Sequence, residues 1–220
     1  IKSFIDGDWW VQDFSSFFPL QNLQNIEGST KYLDACSAPG GKSFQLLSRK
    51  INITLNDKSI SRIKTLKSNL KRLGFSAKIF NCDFTKLKEN QKYDFIIIDA
   101  PCSALGTIRK NPEIFFKSKG PNFRDLSLLQ ENMLDKASNL LNKNGFILYM
   151  VCSFLKCETV DQIDKFLRKK HDFILCNFKL IVENKSYSKL FDNNFMITLP
   201  DTINGYNIDG YFAAYLQKTK

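Results

Sequence analysis

Histidine is almost absent. His171 is the only one in 220 residues, which leaves little room for a His-rich metal centre or a His-based nucleophile triad. Acid–base work in such a chain falls to carboxylates, Cys, Lys or water. Long apolar runs are missing as well: the longest, such as Phe146–Cys152, reach about seven residues where a membrane-spanning helix needs roughly 20. No membrane association is expected. No signal-peptide pattern opens the chain, though Ile1 is not a start methionine and the natural N-terminus is expected upstream. Zinc-type cysteine pairing is also lacking. Of the six cysteines, at 36, 82, 102, 152, 157 and 176, the nearest pair is Cys152 and Cys157, with four residues between them and no second pair to match. No metal is expected. A disulfide framework would normally come with a smaller chain and an export signal, so the expectation is reduced, mostly buried thiols in a cytoplasmic protein.

What is plentiful is lysine. The chain has 32 Lys+Arg against 22 Asp+Glu, a formal charge of +10; 26 of the bases are Lys and 6 are Arg. The excess is uneven, because residues 42–92 hold 13 bases and 3 acids. Two readings stay open: a solvated outer helix face, or a surface that attracts a polyanion. At 43% hydrophobic and 25% charged the composition is that of an ordinary globular protein, and the length suits one α/β domain better than two. A single catalytic domain over 1–220 is expected, with 1–28 as a lead-in segment, and a monomer.

Short apolar runs bounded by turn residues mark strands at Tyr32–Cys36, Ile51–Leu55, Ala77–Phe80, Phe95–Asp99 and Phe146–Cys152, with weaker ones at Phe173–Phe178 and Tyr211–Leu216. Helical periodicity fills the gaps. Ser59–Leu73 sets Ile60, Ile63, Leu66, Leu70 and Leu73 on one stripe and closes on Gly74. Asp125–Asn142 repeats the pattern with Gly145 after it, and Glu158–Lys170 is a third helix. Strands alternating with helices predict a mostly parallel, Rossmann-like sheet of seven strands, helix-covered on both faces.

The segment from Tyr32 to Ser43 runs from a strand through Cys36, Ser37, Ala38, Pro39, Gly40 and Gly41 into a helix that begins at Lys42. Glycines there allow a ligand close to the backbone, and the helix start offers free N–H groups. The spacing fits neither G-x-x-x-x-G-K-[ST] nor G-x-G-x-x-G, so phosphate-loop and dinucleotide readings fail. Asp57 ends the second strand, where an acid can hold both hydroxyls of a ribose. Asp83 follows the third. A Gly loop with acids at strand ends implies a nucleoside cofactor with no phosphate requirement.

Farther on, Asp94-Phe-Ile-Ile-Ile-Asp99-Ala-Pro-Cys102 ends a buried strand with an acid, a proline and a thiol, and Phe146-Ile-Leu-Tyr-Met-Val-Cys152-Ser153 ends another with a second thiol. Neighbouring strand ends would bring Cys102 and Cys152 together at the rim beside the cofactor. Two thiols and a carboxylate in such a cleft suit covalent catalysis by a thiolate.

These segments resemble the RNA (cytosine-5) methyltransferases of the Sun/Nop2/Fmu family, above all the bacterial 16S rRNA members of Fmu (RsmB-like) type. The resemblance runs from Trp10 to Lys218 and rests on Trp10-Val-Gln-Asp-Phe-Ser-Ser, Leu33-Asp-Ala-Cys-Ser-Ala-Pro-Gly-Gly-Lys-Ser, Asn69-Leu-Lys-Arg-Leu-Gly, Asp99-Ala-Pro-Cys-Ser-Ala-Leu-Gly-Thr-Ile-Arg-Lys-Asn-Pro-Glu, Val151-Cys-Ser-Phe-Leu and Asp209-Gly-Tyr-Phe-Ala-Ala. It implies S-adenosyl-L-methionine as cofactor, with Cys36 to Lys42 as its loop, Asp57 on the ribose and Asp83 by the adenine. It also implies that Asp99 lies near the methionine moiety and the target base, that Cys152 is the nucleophile and that Cys102 assists product release. RNA, small-subunit rRNA in particular, is the implied partner, and the RNA-binding region that usually precedes the family's catalytic core is expected to lie outside this chain. Val151 stands where the family usually has Thr, and Lys156-Cys157-Glu158 where it usually has Pro-Glu-Glu; neither change removes a reacting group.

On this reading Cys152 adds to cytosine C6, Asp99 assists at N3, and Cys102, directly or through water, takes the C5 proton so that Cys152 can leave. Three alternatives remain. DNA cytosine-5 methyltransferases use the Pro-Cys thiol, here Cys102, as nucleophile. An adenine amino-methyltransferase would want an Asp/Asn-Pro-Pro-Tyr type motif, and Asp99-Ala-Pro-Cys102 lacks its aromatic. A noncatalytic RNA-binding relative would be favoured by loss of either thiol or of Asp99, and all three are present. The Arg109-Lys110 stretch could meet phosphates at the cleft mouth or be a plain exposed loop.

Overall fold

The structure, a computed structural model, describes residues 1–21, 31–116, 120–178, 187, 190 and 194–220. Its helices are α1 (Lys2–Ile5), α2 (Phe14–Phe17), α3 (Gly41–Leu47), α4 (Ile60–Arg72), α5 (Phe123–Leu140) and α6 (Val160–Lys169). Its strands are β1 (Tyr32–Asp34), β2 (Ile53–Asn56), β3 (Ile79–Phe80), β4 (Tyr93–Asp99), β5 (Leu141–Val151), β6 (Phe173–Leu175), β7 (Met196–Thr198), β8 (Asp201–Ile203), β9 (Tyr206–Ile208) and β10 (Tyr211–Lys218).

The seven expected strands lie side by side in the order β3-β2-β1-β4-β5-β10-β6. Neighbours from β3 to β5 are parallel, and β10 runs antiparallel to β5 and β6. An eighth strand, β7, takes the outer edge of β10 at Tyr211–Ala213, beyond the stretch that β6 covers at Leu216–Lys218. Along β4, Phe95 and Ile97 enter one core cluster with Phe44, Leu46, Leu66 and Leu70 of α3 and α4. Ile96 and Ile98 enter the other with Met133, Leu134, Ile163 and Phe166 of α5 and α6. A strand covered on both faces has no polar side, which is why Phe95-Ile-Ile-Ile reads as a continuous apolar run.

Helix α4 follows its periodicity. Ser59 caps it by accepting from Arg62 N at 3.3 Å, and the chain turns at Gly74 with φ +68°. Ile63, Leu66 and Leu70 are buried as expected, but Ile60 is 66% exposed because it sits in the first turn, beyond the edge of the sheet-facing stripe. Helix α5 starts and stops two residues earlier than its pattern: it ends at Leu140, and Gly145 lies inside β5 instead of closing the helix. The register with β4 jumps from Tyr93↔Leu141 to Phe95↔Phe146, so the Asn-rich stretch 142–144 is absorbed as an irregularity within the strand.

Strands β7, β8 and β9 are three residues each and carry no apolar run. The β8–β9 hairpin did have a legible signal in Asn204-Gly205, both at positive φ. The segment before β1 packs on the sheet: Phe18 and Leu20 are fully buried, and Tyr215 Oη donates to Pro19 O at 2.5 Å. Among the described residues no helix is long and apolar enough to cross a membrane.

Candidate active site

The chain fills β1, β2 and β3 toward one edge, then returns to lay β4 and β5 on the other side of β1. In open sheets of this kind ligands collect at the carboxyl ends of the strands around that reversal. The candidate residues all fall there: residues 36–42 after β1, Asp57 after β2, Asp83 after β3, Asp99 and Cys102 at the end of β4, and Cys152 after β5. Because β10 is antiparallel, its first residue, Tyr211, meets the same rim from the opposite direction.

On the β1–β3 side, three strand-end acids make the same local turn, each accepting from the backbone N–H two residues on. Asp34 Oδ1 accepts from Cys36 N at 3.2 Å, Asp57 Oδ1 from Ser59 N at 2.9 Å, and Asp83 Oδ1 from Thr85 N at 3.0 Å. Asp34 Oδ2 accepts from Ser43 Oγ at 2.7 Å. Burial raises the Asp34 carboxyl from its ordinary 3.8 to about 6, with Ser43 and the Lys42 charge acting the other way. Asp57 Oδ2 accepts from Ala38 N at 3.2 Å and lies 3.8 Å from Arg62, which also donates to Ala38 O. The Thr85 hydroxyl holds the more open Asp83 below the usual carboxylate range. A cleft between these ends is lined by Ala35, Cys36, Asp57, Asp83, Pro101 and Met133, among others. Burial, with Asp34, Asp99 and Asp57 nearby, pushes the Cys36 thiol far above its usual range, so it stays neutral. At Gly40 φ is +124°, and a Cβ there would lie 2.0 Å from the Phe44 ring.

Lys42 does not stay with that loop. Its Nζ donates to Asp99 Oδ2 at 2.7 Å, and Tyr211 Oη donates to Asp99 Oδ1 at 2.6 Å. The ammonium also lies 5.3 Å from the Tyr211 ring centre. Burial, then the Asp99 charge, keeps the Tyr211 phenol well above its usual range, so it remains a donor. Tyr211 was not among the residues singled out from the sequence. Its signals were a place in the Asp209-Gly-Tyr-Phe-Ala-Ala segment and a polar-tipped aromatic opening an apolar strand.

The two thiols meet: Cys102 Sγ and Cys152 Sγ are 3.3 Å apart. Part of the reason is local. Gly106 N donates to Cys152 O at 3.0 Å, and Gly210 N donates to Gly106 O at 2.8 Å. A Cβ on Gly106 would lie 1.9 Å from Gly210 O, so only glycine lets the Cys102 loop close onto the end of β5 here. The hydrogen bond with Cys152, then burial, then the charge of a Cys152 thiolate hold the Cys102 thiol well above its usual range. Beside Cys102 opens a hollow of about 440 Å³ lined by Ala104, Thr107, Asn111, Glu113 and Ile114.

Arg109 and Lys110 are neither free cations nor a plain loop. Lys110 Nζ lies 2.7 Å from both Asp13 Oδ2 and Asp209 Oδ2, and Arg109 Nη2 lies 3.1 Å from Asp209 Oδ1. Two bases meet two acids, tying the segment before β1 to the start of β10. A cavity of about 520 Å³ adjoins this cluster, walled by Phe14, Tyr187 and Tyr206 and holding neither thiol. Of the 13 bases in residues 42–92, Lys42 is buried in the site, while Lys64, Lys67 and Lys71 point to solvent on α4.

A mostly parallel sheet with an antiparallel β10 and a ligand cleft at its carboxyl rim is the Rossmann-like methyltransferase fold. It is shared at 11% identity and a TM-score of 0.58 with the N-methyltransferase NodS of Bradyrhizobium japonicum. The family model "16S rRNA methyltransferase RsmB/F" matches residues 21–217, and the chain belongs to that family. Ribosomal RNA small subunit methyltransferase B of Shewanella oneidensis is 33% identical over 98% of this chain and 49% of its own length. The protein of that name from Photorhabdus laumondii is 38% identical over 76% of this chain and 40% of its own. NSun6 of Pyrococcus horikoshii, solved with SFG, superposes with a TM-score of 0.82 at 26% identity, over 100% of this chain and 56% of that one. The chain thus spans about half the length of the curated relatives it matches.

Proposed function

We propose that the chain is the catalytic domain of an S-adenosyl-L-methionine-dependent RNA cytosine-C5 methyltransferase acting on small-subunit rRNA. One observation carries the reading: two thiols 3.3 Å apart at the rim where β4 and β5 end, next to the ion-paired Asp99. Membership in a 16S rRNA methyltransferase family supports the substrate class. The relative solved with SFG, an S-adenosylmethionine analogue, supports the cofactor.

The residues present fit that cofactor. Asp57 and Asp83 offer carboxylates for ribose hydroxyls and for a donor on a base, and Ala35, Pro101 and Met133 give the cleft apolar wall. When bound, it supplies an electrophilic methyl group to a nucleophilic carbon.

The chain's own residues make that carbon nucleophilic. Cytosine C5 is unreactive while the ring is aromatic. In this mechanism the Cys152 thiolate forms an S–C6 bond and the displaced electron pair moves to C5; because N3 is an acceptor, Asp99 assists there only as the carboxylic acid, with a proton that joins the Asp99–N3 pair on addition and leaves it again on elimination. Before addition Cys102 is the protonated partner. Once Cys152 is bound to carbon as a neutral thioether, its hydrogen bond and its charge no longer hold the proton on Cys102. Cys102 then releases that proton to water and takes the one on C5. The C5–H electrons restore the ring double bond, the S–C6 bond breaks, and Cys152 leaves as thiolate. One proton is released per methyl gained. The reverse assignment, with Cys102 attacking, makes the opposite prediction for the two variants below.

A cytosine must leave its stack to reach these thiols, and a hollow lined in part by Cys102 opens beside them. Two reduced thiols suit a cytoplasmic setting. The test is a pair of variants with a 16S rRNA transcript. Cys152→Ala is expected to give neither methylation nor a denaturation-resistant enzyme–RNA adduct, and Cys102→Ala to accumulate adduct while turnover falls by a factor of about 100 or more. If Cys152→Ala traps RNA and Cys102→Ala releases product normally, the assignment is reversed.

A further inference from the structure

The mechanism above makes no use of Glu158. It ends the short turn Lys156–Glu158 that follows Cys152, and it is fully buried. Its carboxylate is met by four donors, none of them charged. Oε1 accepts from Ser103 N at 2.8 Å and from Gln130 Nε2 at 3.2 Å; Oε2 accepts from Ser103 Oγ and Ser153 Oγ, each at 2.6 Å.

Ser103 and Ser153 are the residues directly after the two thiols, and their surroundings match. Each hydroxyl oxygen accepts from the backbone N–H two residues on, Leu105 N at 3.5 Å and Leu155 N at 3.2 Å. Each hydroxyl proton is therefore turned toward Glu158, and the two hydroxyl oxygens sit 3.2 Å apart. Gln130 Nε2 also donates to Pro101 O at 3.0 Å, fixing the far side of the Cys102 loop. Tyr149 Oη donates to Glu158 O at 2.8 Å, fixing the turn to β5.

We propose that Glu158 is a positioning residue for the two-thiol reaction: its carboxylate bridges Ser103 and Ser153 and so holds Cys102 against Cys152. The proposal rests on the reading that both thiols act. Glu158 belongs to the turn on the Cys152 side, while Ser103 brings it both an N–H and a hydroxyl. Cutting the bridge therefore frees mainly the Cys102 loop, and the step it weakens is release of the product, not attack on the base. The buried negative charge also helps keep the Cys102 proton in place.

The experiment compares Glu158→Ala, Glu158→Gln and Ser103→Ala with the unchanged chain and with Cys102→Ala. The substrates are 16S rRNA transcript and S-adenosylmethionine. It follows methyl transfer, enzyme–RNA adduct surviving denaturing electrophoresis, and affinity for S-adenosylhomocysteine. Glu158→Ala is expected to lower turnover about 100-fold, the cost of roughly 1 Å of misplacement, and to accumulate adduct with unchanged cofactor-site affinity. Glu158→Gln still offers one acceptor oxygen in the same volume and is expected to stay within about tenfold of the unchanged chain. A merely structural role would lower affinity and turnover together and leave no adduct. Full turnover in Glu158→Ala, or lost turnover without adduct, overturns the proposal. Should Glu158→Ala fail to fold, Ser103→Ala decides: some adduct supports the bridge, and none overturns it. If Cys102→Ala itself accumulates no adduct, the two-thiol reading falls and this proposal falls with it, a failure that this control alone reports.

Discussion

The two walls of the cleft are built in different ways. On the β1–β3 side, Asp34, Asp57 and Asp83 are each held by the backbone N–H two residues along. On the β4–β5 side, Ser103 and Ser153 make the same local turn, but distant partners are added: Asp99 is held by Lys42 and Tyr211, 57 and 112 positions away, and Ser103, next to Cys102, by Glu158, 55 positions away. A wall made of local turns tolerates changes in the rest of the molecule, because each turn closes on itself. A wall made of distant partners has reactive geometry only when β4, β5 and β10 are all in register.

The sharpest way to break this contrast is Asp99→Ala. It leaves the Lys42 ammonium, whose side chain is 10% exposed, without its partner. Removing one member of a buried pair costs about 3–5 kcal/mol, and the 29% exposure of Asp99 reduces this to about 2–3 kcal/mol. Urea unfolding should show that loss, and methyl transfer should fall about 100-fold. Unaltered stability would mean that the long-range wall is not held as described.

Asp34→Asn acts on the local wall and should move stability the other way. The folded Asp34 carboxyl titrates near 6, above its ordinary 3.8. Its tighter proton therefore contributes stability that is fully present below about pH 4 and is lost as pH rises through 6. Asn keeps the acceptor for Cys36 N without that titration. The variant should gain about 2 kcal/mol at pH 7.5, the gain shrinking toward zero near pH 4. Equal gains at both pH values would rule out the Asp34 ionisation as their source.

The smallest effect belongs to Asp83→Asn. Asn makes the same turn to Thr85, so unfolding should shift by less than about 0.5 kcal/mol. Affinity for S-adenosylhomocysteine should still drop severalfold by calorimetry, since a carboxylate facing the cleft is replaced by an amide. A large stability loss would place Asp83 with the long-range wall instead.

The same contrast explains what could be read before folding was considered. The Gly40-Gly41 loop and the acids at 57 and 83 advertise themselves because turn chemistry is local. The thiols at 102 and 152 were legible as strand ends, since each closes an apolar run long enough to be a buried strand. The contacts made by Tyr211, Glu158 and the Arg109–Lys110 pair were not, although these residues stand within segments compared with the family. Tyr211 looks like the first residue of a weak strand, and Glu158 looks like the start of the amphipathic stretch Glu158–Lys170. Nothing in one dimension says that Glu158 will accept from the hydroxyls of both Ser153, five positions away, and Ser103, 55 positions away. Strand β7 was invisible for a related reason: three residues on the edge of β10 leave no periodicity to detect.

Chain order alone carries the alternation of apolar runs, which dictates a sheet covered on both faces, and the turn residues that place acids and glycines at its carboxyl rim. It also carries an excess of lysine, of which Lys64, Lys67 and Lys71 lie on the outer face of α4. Folding decides the rest. Which thiol keeps the proton depends on a 3.3 Å contact and on the charge and burial around it. Both exist only when antiparallel β10 and the turn after β5 close on the end of β4.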